Sequence, residues 1–260
     1  MGITYEIAAP GRQGEGLGRA EKAALADEGF ARALDLEFGL PGRCDADRVV
    51  VLGIGGSALG SRAVHEACRG ADTLPIEVVD NIDPQALEAA WRGGDPRRTA
   101  WVVISKSGGT TETLAQFGVV RARLEEIGGG LIHVVTGPDG ALRDLANARG
   151  YPTCDVPVEV GGRFSVFTPA ATVPLALAGH DVDGLLAGAR AARSDPAIAA
   201  EVATFLISAY GAGRNVVTLW SYAERLETVG EWFRQLWACL LYTSPSPRDL
   251  GSNLGFRLRL

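Results

Sequence analysis

Apolar residues run in short blocks along most of the chain, and the blocks alternate with stretches whose apolar positions return every three to four residues. From Arg48 onward the alternation is regular. VVVLGI (49–54) precedes a helical pattern from about Ser57 to Arg69, and PIEVVD (75–80) precedes a short helix that Asp83 would cap, with Pro84 at its first position. AWVVIS (100–105) leads to a helix over about 111–127, and LIHVVT (131–136) to one near 139–149, before a last short strand near 153–156. Strands that are apolar throughout, each followed by a helix, imply a parallel sheet covered on both faces. The expected architecture is α/β, a doubly wound parallel sheet with flanking helices over about 48–180.

On either side the pattern is different. Residues 19–36 read as an amphipathic helix after a glycine-rich lead-in, so 1–47 is expected to be an N-terminal arm and helix. Helical patterns at 168–179, 182–193 and 196–213 follow the sheet, with 181–214 read as connecting helices. NVVTLWSY (215–222) then predicts a strand and AERLETVGEWFRQLWA (223–238) its helix, the start of a second, incomplete α/β unit. A lone strand and helix cannot bury their own apolar faces, so exposed apolar surface is expected over 215–238. In the tail, residues 239–260, Pro245 and Pro247 exclude a helix interior and no further alternation is found.

Composition narrows the function classes. With 47% hydrophobic and 22% charged residues among 260, the chain is of globular and not disordered type. No apolar run reaches the ~18–20 residues that cross a bilayer, and the N-terminus has no apolar stretch of secretory type, so a cytoplasmic protein with no membrane partner is expected. A net charge of −6 argues against nucleic acid as a partner, because phosphate neutralisation needs a surplus of cations. Cys44, Cys68, Cys154 and Cys239 form no CxxC pair, which predicts reduced thiols and no metal knuckle. Only two lysines occur, Lys22 and Lys106, which sets Lys106 apart.

Three segments can carry chemistry. GIGGSALG (53–60) sits where the first strand turns into its helix, so its backbone can approach an anion closely. Read as G-x-G-x-x-A over Gly53, Gly55 and Ala58, with Asp80 ending the second strand, it also fits a dinucleotide fingerprint. A P-loop is excluded, since Ser61-Arg62 stands where Lys-Ser/Thr is required. SKSGGTTET (105–113) ends the third strand and offers Ser105, Ser107, Thr110 and Thr111 hydroxyls with Lys106 at a helix N-terminus, either a phosphate cup or a threonine-capped turn. In VEVGGRFSVFTPAATVPLAL (158–177), Gly161-Gly162 bring Arg163 in before an apolar helix, where it serves an oxyanion or a surface ion pair. In flavodoxin-like strand order the first two loops flank the topological switch point and face one crevice.

These segments together resemble the phosphoglucose isomerase family of the bacterial type: GIGGSALGSRA, DNIDP (80–84), VVISKSGGTTET and VGGRFSVFTPAA stand in that family's order and spacing, over about residues 48–238. The resemblance implies sugar-isomerase (SIS) α/β domains and interconversion of glucose 6-phosphate and fructose 6-phosphate through a cis-enediol, without metal or organic cofactor. It implies that Ser105, Ser107 and Thr110 bind the phosphate with Lys106 beside them, that Gly56 and Ser57 line the sugar site, and that Arg163 steadies the enediolate. It also implies a homodimer for the full-length protein. The family's glutamate base is expected just after EWFRQLWA, but Cys239 stands there, and Glu231 lies two helical turns too early. The family's ring-opening histidine and late lysine match nothing here; His65, His133 and His180 fall in ordinary helix, strand and turn contexts. The tail after Ala238 is expected to be foreign to the family. Two rival readings stay open: a non-catalytic SIS module that binds a sugar phosphate, and an NAD-dependent oxidoreductase using Gly53, Gly55 and Asp80.

Overall fold

The computed structural model describes residues 33–241 apart from Asn215, with side chains up to Leu236. The expectations for the arm before residue 33 and for the tail from residue 242 lie outside the described residues; of the N-terminal helix, 33–35 are helical.

Five strands form the sheet: β1 (Arg48–Leu52), β2 (Ile76–Val79), β3 (Thr99–Ser105), β4 (Leu131–Thr136) and β5 (Thr153–Asp155). All pairings are parallel and the order is β2-β1-β3-β4-β5, so the strand sequence reverses between β1 and β3. The helices are α1 (Leu59–Cys68), α2 (Pro84–Arg92), α3 (Thr111–Glu126), α4 (Ala141–Arg149), α5 (Pro169–Leu177), α6 (Val182–Ser194), α7 (Ala197–Gly211) and α8 (Glu227–Leu241). Asp83 caps α2 as expected, its carboxylate accepting from the Gln85 backbone N–H at 2.9 Å.

The continuous apolar strands are buried on both faces, which is why they show no polar alternation. Val50, Leu52, Trp101 and Val103 point to one layer, against Ala90 of α2, Phe117, Val120 and Leu124 of α3, and Leu142 and Ala146 of α4. Val49, Val51, Val102 and Ile104 point to the other, against Ala170, Val173 and Leu177 of α5. Wholly buried Trp101 keeps its indole N–H satisfied by donating to the Pro96 carbonyl at 3.1 Å.

One expected element is corrected. Residues 216–222 form no strand: the segment pairs with no strand among the described residues, and its Trp220 and Tyr222 side chains are 69% and 96% exposed. A parallel strand exists only through neighbouring strands, and none of the five lies beside this one. The helix that follows begins with a 3₁₀ turn at Glu224–Leu226 and continues as α8. It packs along α1, so it covers the first α/β unit. Ile198, Ile207 and Tyr210 of α7 add to the exposed apolar surface. Cys44, Cys68 and Cys154 are free thiols, and burial pushes those of Cys44 and Cys154 upward. Among the described residues, no helix is long and apolar enough to cross a membrane.

Two histidines fasten α1 to the turn between α5 and α6. The Ile76 backbone N–H donates to His65 Nε2 at 3.3 Å, which leaves the proton of neutral His65 on Nδ1. That N–H points to His180 Nε2, 2.8 Å away. Burial lowers both histidines; for His65, the neighbouring His180 and Arg69 act with burial, Glu66 opposes them, and the result is about 4. The unfolded chain, titrating near 6.5, therefore binds more protons between pH 6.5 and about 4, and stability falls as pH drops through that window. Urea unfolding at pH 7 and pH 5 is expected to show a lower midpoint at pH 5 and a smaller difference in His65→Gln. A midpoint unchanged between the two pH values contradicts the buried neutral pair.

Candidate functional site

The carboxyl ends of β1 and β3 lie side by side at the point where strand order reverses, in the register Leu52↔Val103. Three loops meet above them. The first leaves β1 through Gly53 and makes a 3₁₀ turn over Gly55–Ser57 before α1. Gly55 has φ +61°, a conformation that disfavours any residue with a Cβ. A Cβ on Gly53 would lie 3.3 Å from Ile104, so the loop hugs the end of β3.

The second loop, Ser105–Thr110, brings its predicted hydroxyls together at the N-terminus of the sixteen-residue α3. Ser105, on the last position of β3 and 2% exposed, donates to Thr110 Oγ1 at 2.9 Å and accepts from the Thr110 backbone N–H at 3.4 Å. Ser107 Oγ lies 3.4 Å from the same Thr110 oxygen and accepts from Gly109 N–H. Because Ser105 gives its proton to Thr110, Thr110 keeps its own hydroxyl proton, which can turn to Ser107 or to a ligand, and Ser105 acts largely through it. Gly108, at φ +64°, turns the chain against the loop after β4: its carbonyl accepts from Leu142 N–H at 3.0 Å, and a Cβ would meet the Asp139 carbonyl at 2.8 Å. Hydroxyls gathered at a helix N-terminus in this way can receive an anion.

The third loop follows β5 and enters a 3₁₀ helix, Gly162–Phe167, that carries Arg163. It touches the first loop backbone to backbone: a Cβ on Gly56 would stand 2.2 Å from the Gly162 carbonyl oxygen and 2.9 Å from Arg163 N. Ser165, 3% exposed, places its hydroxyl 2.9 Å from the Gly56 carbonyl and 2.7 Å from that of Gly162, holding the two loops together. Arg163 stacks over Phe164, its Cζ 5.6 Å from the ring centroid. Lys106 does not turn to the hydroxyls; its Nζ donates to the Val158 and Val160 carbonyls, both at 2.7 Å.

A fourth contributor, Gln235 of the helix EWFRQLWA, is not among the residues that the sequence singles out. Helix α8 lies on α1, linked by Arg62–Glu231 at 3.6 Å, and sets Gln235 against the first loop. The side chain is 8% exposed, a Cβ on Gly55 would lie 3.6 Å from its Nε2, and its Oε1 has no hydrogen-bond partner among the described residues. An unsatisfied buried acceptor beside the first loop is suited to a ligand hydroxyl. Its signal was the four-residue spacing of Glu231, Gln235 and position 239, which puts all three on one face of α8. Of the expected residues, Gly56, Ser57, Ser105, Ser107 and Thr110 lie on the first two loops and Arg163 on the third. Cys239 lies on the α8 backbone, one turn beyond Gln235. His65 and His180 bond each other, His133 is inside β4, and Glu231 is held by Arg62. Among the described residues no group of three or more His, Cys, Asp or Glu side chains could hold a metal ion.

The strand order and the loops at its reversal define a doubly wound α/β protein of the kind that takes its ligand outside the carboxyl ends of the strands. The family model for phosphoglucose isomerase matches residues 42–237, and the chain belongs to that family. It is 43% identical over 205 residues to a probable glucose-6-phosphate isomerase of Haloarcula marismortui, covering 75% of this chain and 46% of the relative. To the glucose-6-phosphate isomerase of Rubrobacter xylanophilus it is 38% identical over 212 residues, covering 73% and 49%. The crystal structure of hypothetical protein TT0462 from Thermus thermophilus superposes with a TM-score of 0.69 at 31% identity, over 85% of this chain and 59% of that one. The chain thus spans about half the length of the curated relatives it matches.

Proposed function

We propose that residues 48–180, with α8 laid over them, bind a six-carbon sugar phosphate, and that the full-length protein interconverts glucose 6-phosphate and fructose 6-phosphate. The observation that carries this reading is the convergence of the Ser105, Ser107 and Thr110 hydroxyls on a helix N-terminus beside the Gly56–Gly162 contact. The phosphate sits in that cradle, and the sugar runs along Gly56 and Ser57 toward Arg163. Isomerisation requires a base that takes the C2 proton of the open-chain aldose, leaving an enediolate, and returns it to C1, while the O2 hydroxyl proton passes to O1. Arg163, whose guanidinium is always charged, stabilises the enediolate oxygens. The base position falls at Cys239. A thiol with an ordinary pKa near 8.5 is mostly neutral at pH 7 and a poor base for a carbon-bound proton, so this chain binds its ligand with little turnover. The remainder of a protein about twice as long continues from the segment 215–238, and the whole acts in the cytoplasm as a homodimer.

The NAD reading shares only the first loop, whereas the hydroxyl cradle and Arg163 are idle in it. The two separate in a thermal unfolding experiment. Fructose 6-phosphate at about 100 times its dissociation constant adds ~2.7 kcal/mol and raises the midpoint by about 5–10 °C. NAD leaves it unchanged. Protection by NAD with none from fructose 6-phosphate reverses the assignment.

A further inference from the structure

We infer that Lys106 is a positioning residue that straps the Arg163 loop to the phosphate cradle, and that it is not itself a phosphate ligand. The inference rests on the sugar-phosphate reading above. The Lys106 ammonium donates to two carbonyls of one segment, Val158 and Val160, at 2.7 Å each. Bonds of this charge-assisted kind are the stronger ones in a protein. Residues 156–161 are neither strand nor helix; buried Val156 and Val160, and the Val156 N–H donated to the Thr136 carbonyl at 2.9 Å, anchor the segment to the sheet, while Val158 between them is 65% exposed and its position is set by the ammonium. The Lys106 backbone is fixed from the other side, where its carbonyl accepts from Gly137 N–H at 3.0 Å. One residue therefore ties the loops after β3, β4 and β5.

Beyond the strap, the segment passes through Gly161 and Gly162 to Arg163, where the Ser165 hydroxyl binds it to Gly56. Arg163 thus rides on a loop fastened at both ends, by Lys106 on the phosphate side and Ser165 on the sugar side. Phosphate bound at Ser107–Thr110 orders the chain next to Lys106, and the strap passes that order to the arginine. Groups that act through such a strap show a specific pattern: they affect recognition of charge at the reacting carbons and not the phosphate itself.

Two probes separate these ends. Inorganic phosphate meets the cradle alone; arabinonate 5-phosphate also places a carboxylate where the enediolate charge forms, and needs Arg163. In the 260-residue chain, Lys106→Met is expected to change the affinity for inorganic phosphate by less than about threefold. The same variant weakens arabinonate 5-phosphate by about twentyfold or more, and Lys106→Arg, which keeps the donors, restores most of the loss. If Lys106→Met does not fold, Lys106→Gln carries the same comparison. Equal losses for both probes, or no loss for either, overturn the strap while leaving the sugar-phosphate reading intact. A parent chain that binds neither probe overturns that reading, and the strap with it.

Discussion

Gly56→Ala is expected to lose fructose 6-phosphate binding by tenfold or more and to destabilise the chain by about 1–3 kcal/mol, the usual cost of forcing extra atoms into packed structure. The reason is local and steric. The new Cβ would lie 2.2 Å from the Gly162 oxygen and 2.4 Å from its carbonyl carbon, and both are backbone atoms that cannot rotate away. The loop they belong to is held by Lys106 on one side and by the Ser165 hydroxyl on the other, so relief requires breaking one of these ties. Either break moves Arg163, and misplacement by about 1 Å at a site of this kind costs on the order of 100-fold. Gly162→Ala is the control: its Cβ meets nothing within 4 Å, and its stability should stay within about 0.5 kcal/mol of the parent. Circular dichroism, urea unfolding and ligand titration of the two variants make the comparison. Equal behaviour of both would show that contact between the first and third loops does not shape the site.

How far this site could be read from the sequence depends on what each feature rests on. The sheet was legible because β1 to β4 are short apolar runs followed by helical patterns; Thr99–Ser105 and Thr111–Glu126 fall within a residue of the pattern. The hydroxyl cradle was legible because its members lie within one short stretch, Ser105 to Thr110, where chain continuity brings them together. Long-range partners left no such trace. Nothing around Lys106 says that its ammonium reaches carbonyls more than fifty residues on, and nothing around Ser165 says that it bonds Gly56. Gln235 belongs to a helix whose own pattern shows an amphipathic face but not that α1 receives it. NVVTLWSY misled for the converse reason: its β-type composition is local, whereas a strand also needs neighbours, and 216–222 has none.

The second large effect is expected at the cradle. Ser105 and Thr110 act as one unit, since the serine donates to the threonine oxygen at 2.9 Å. While that bond holds, Thr110 is the hydroxyl of the pair left to donate to a phosphate, and a hydrogen bond to a charged group contributes roughly 1.5–3 kcal/mol. At 1.4 kcal/mol per factor of ten, removing the unit costs about 10–100-fold in affinity. The α3 amides remain in the double variant, so residual weak binding persists. Stability should change little at Thr110, which is partly open to solvent, and somewhat more at buried Ser105. Calorimetric titration of fructose 6-phosphate into the 260-residue chain and into Ser105→Ala/Thr110→Ala is the most direct test of a sugar-phosphate site on these loops. The account predicts saturable one-site binding by the parent and a loss of about 10–100-fold in the folded double variant; equal affinity in the two, or no binding by the parent, would contradict it.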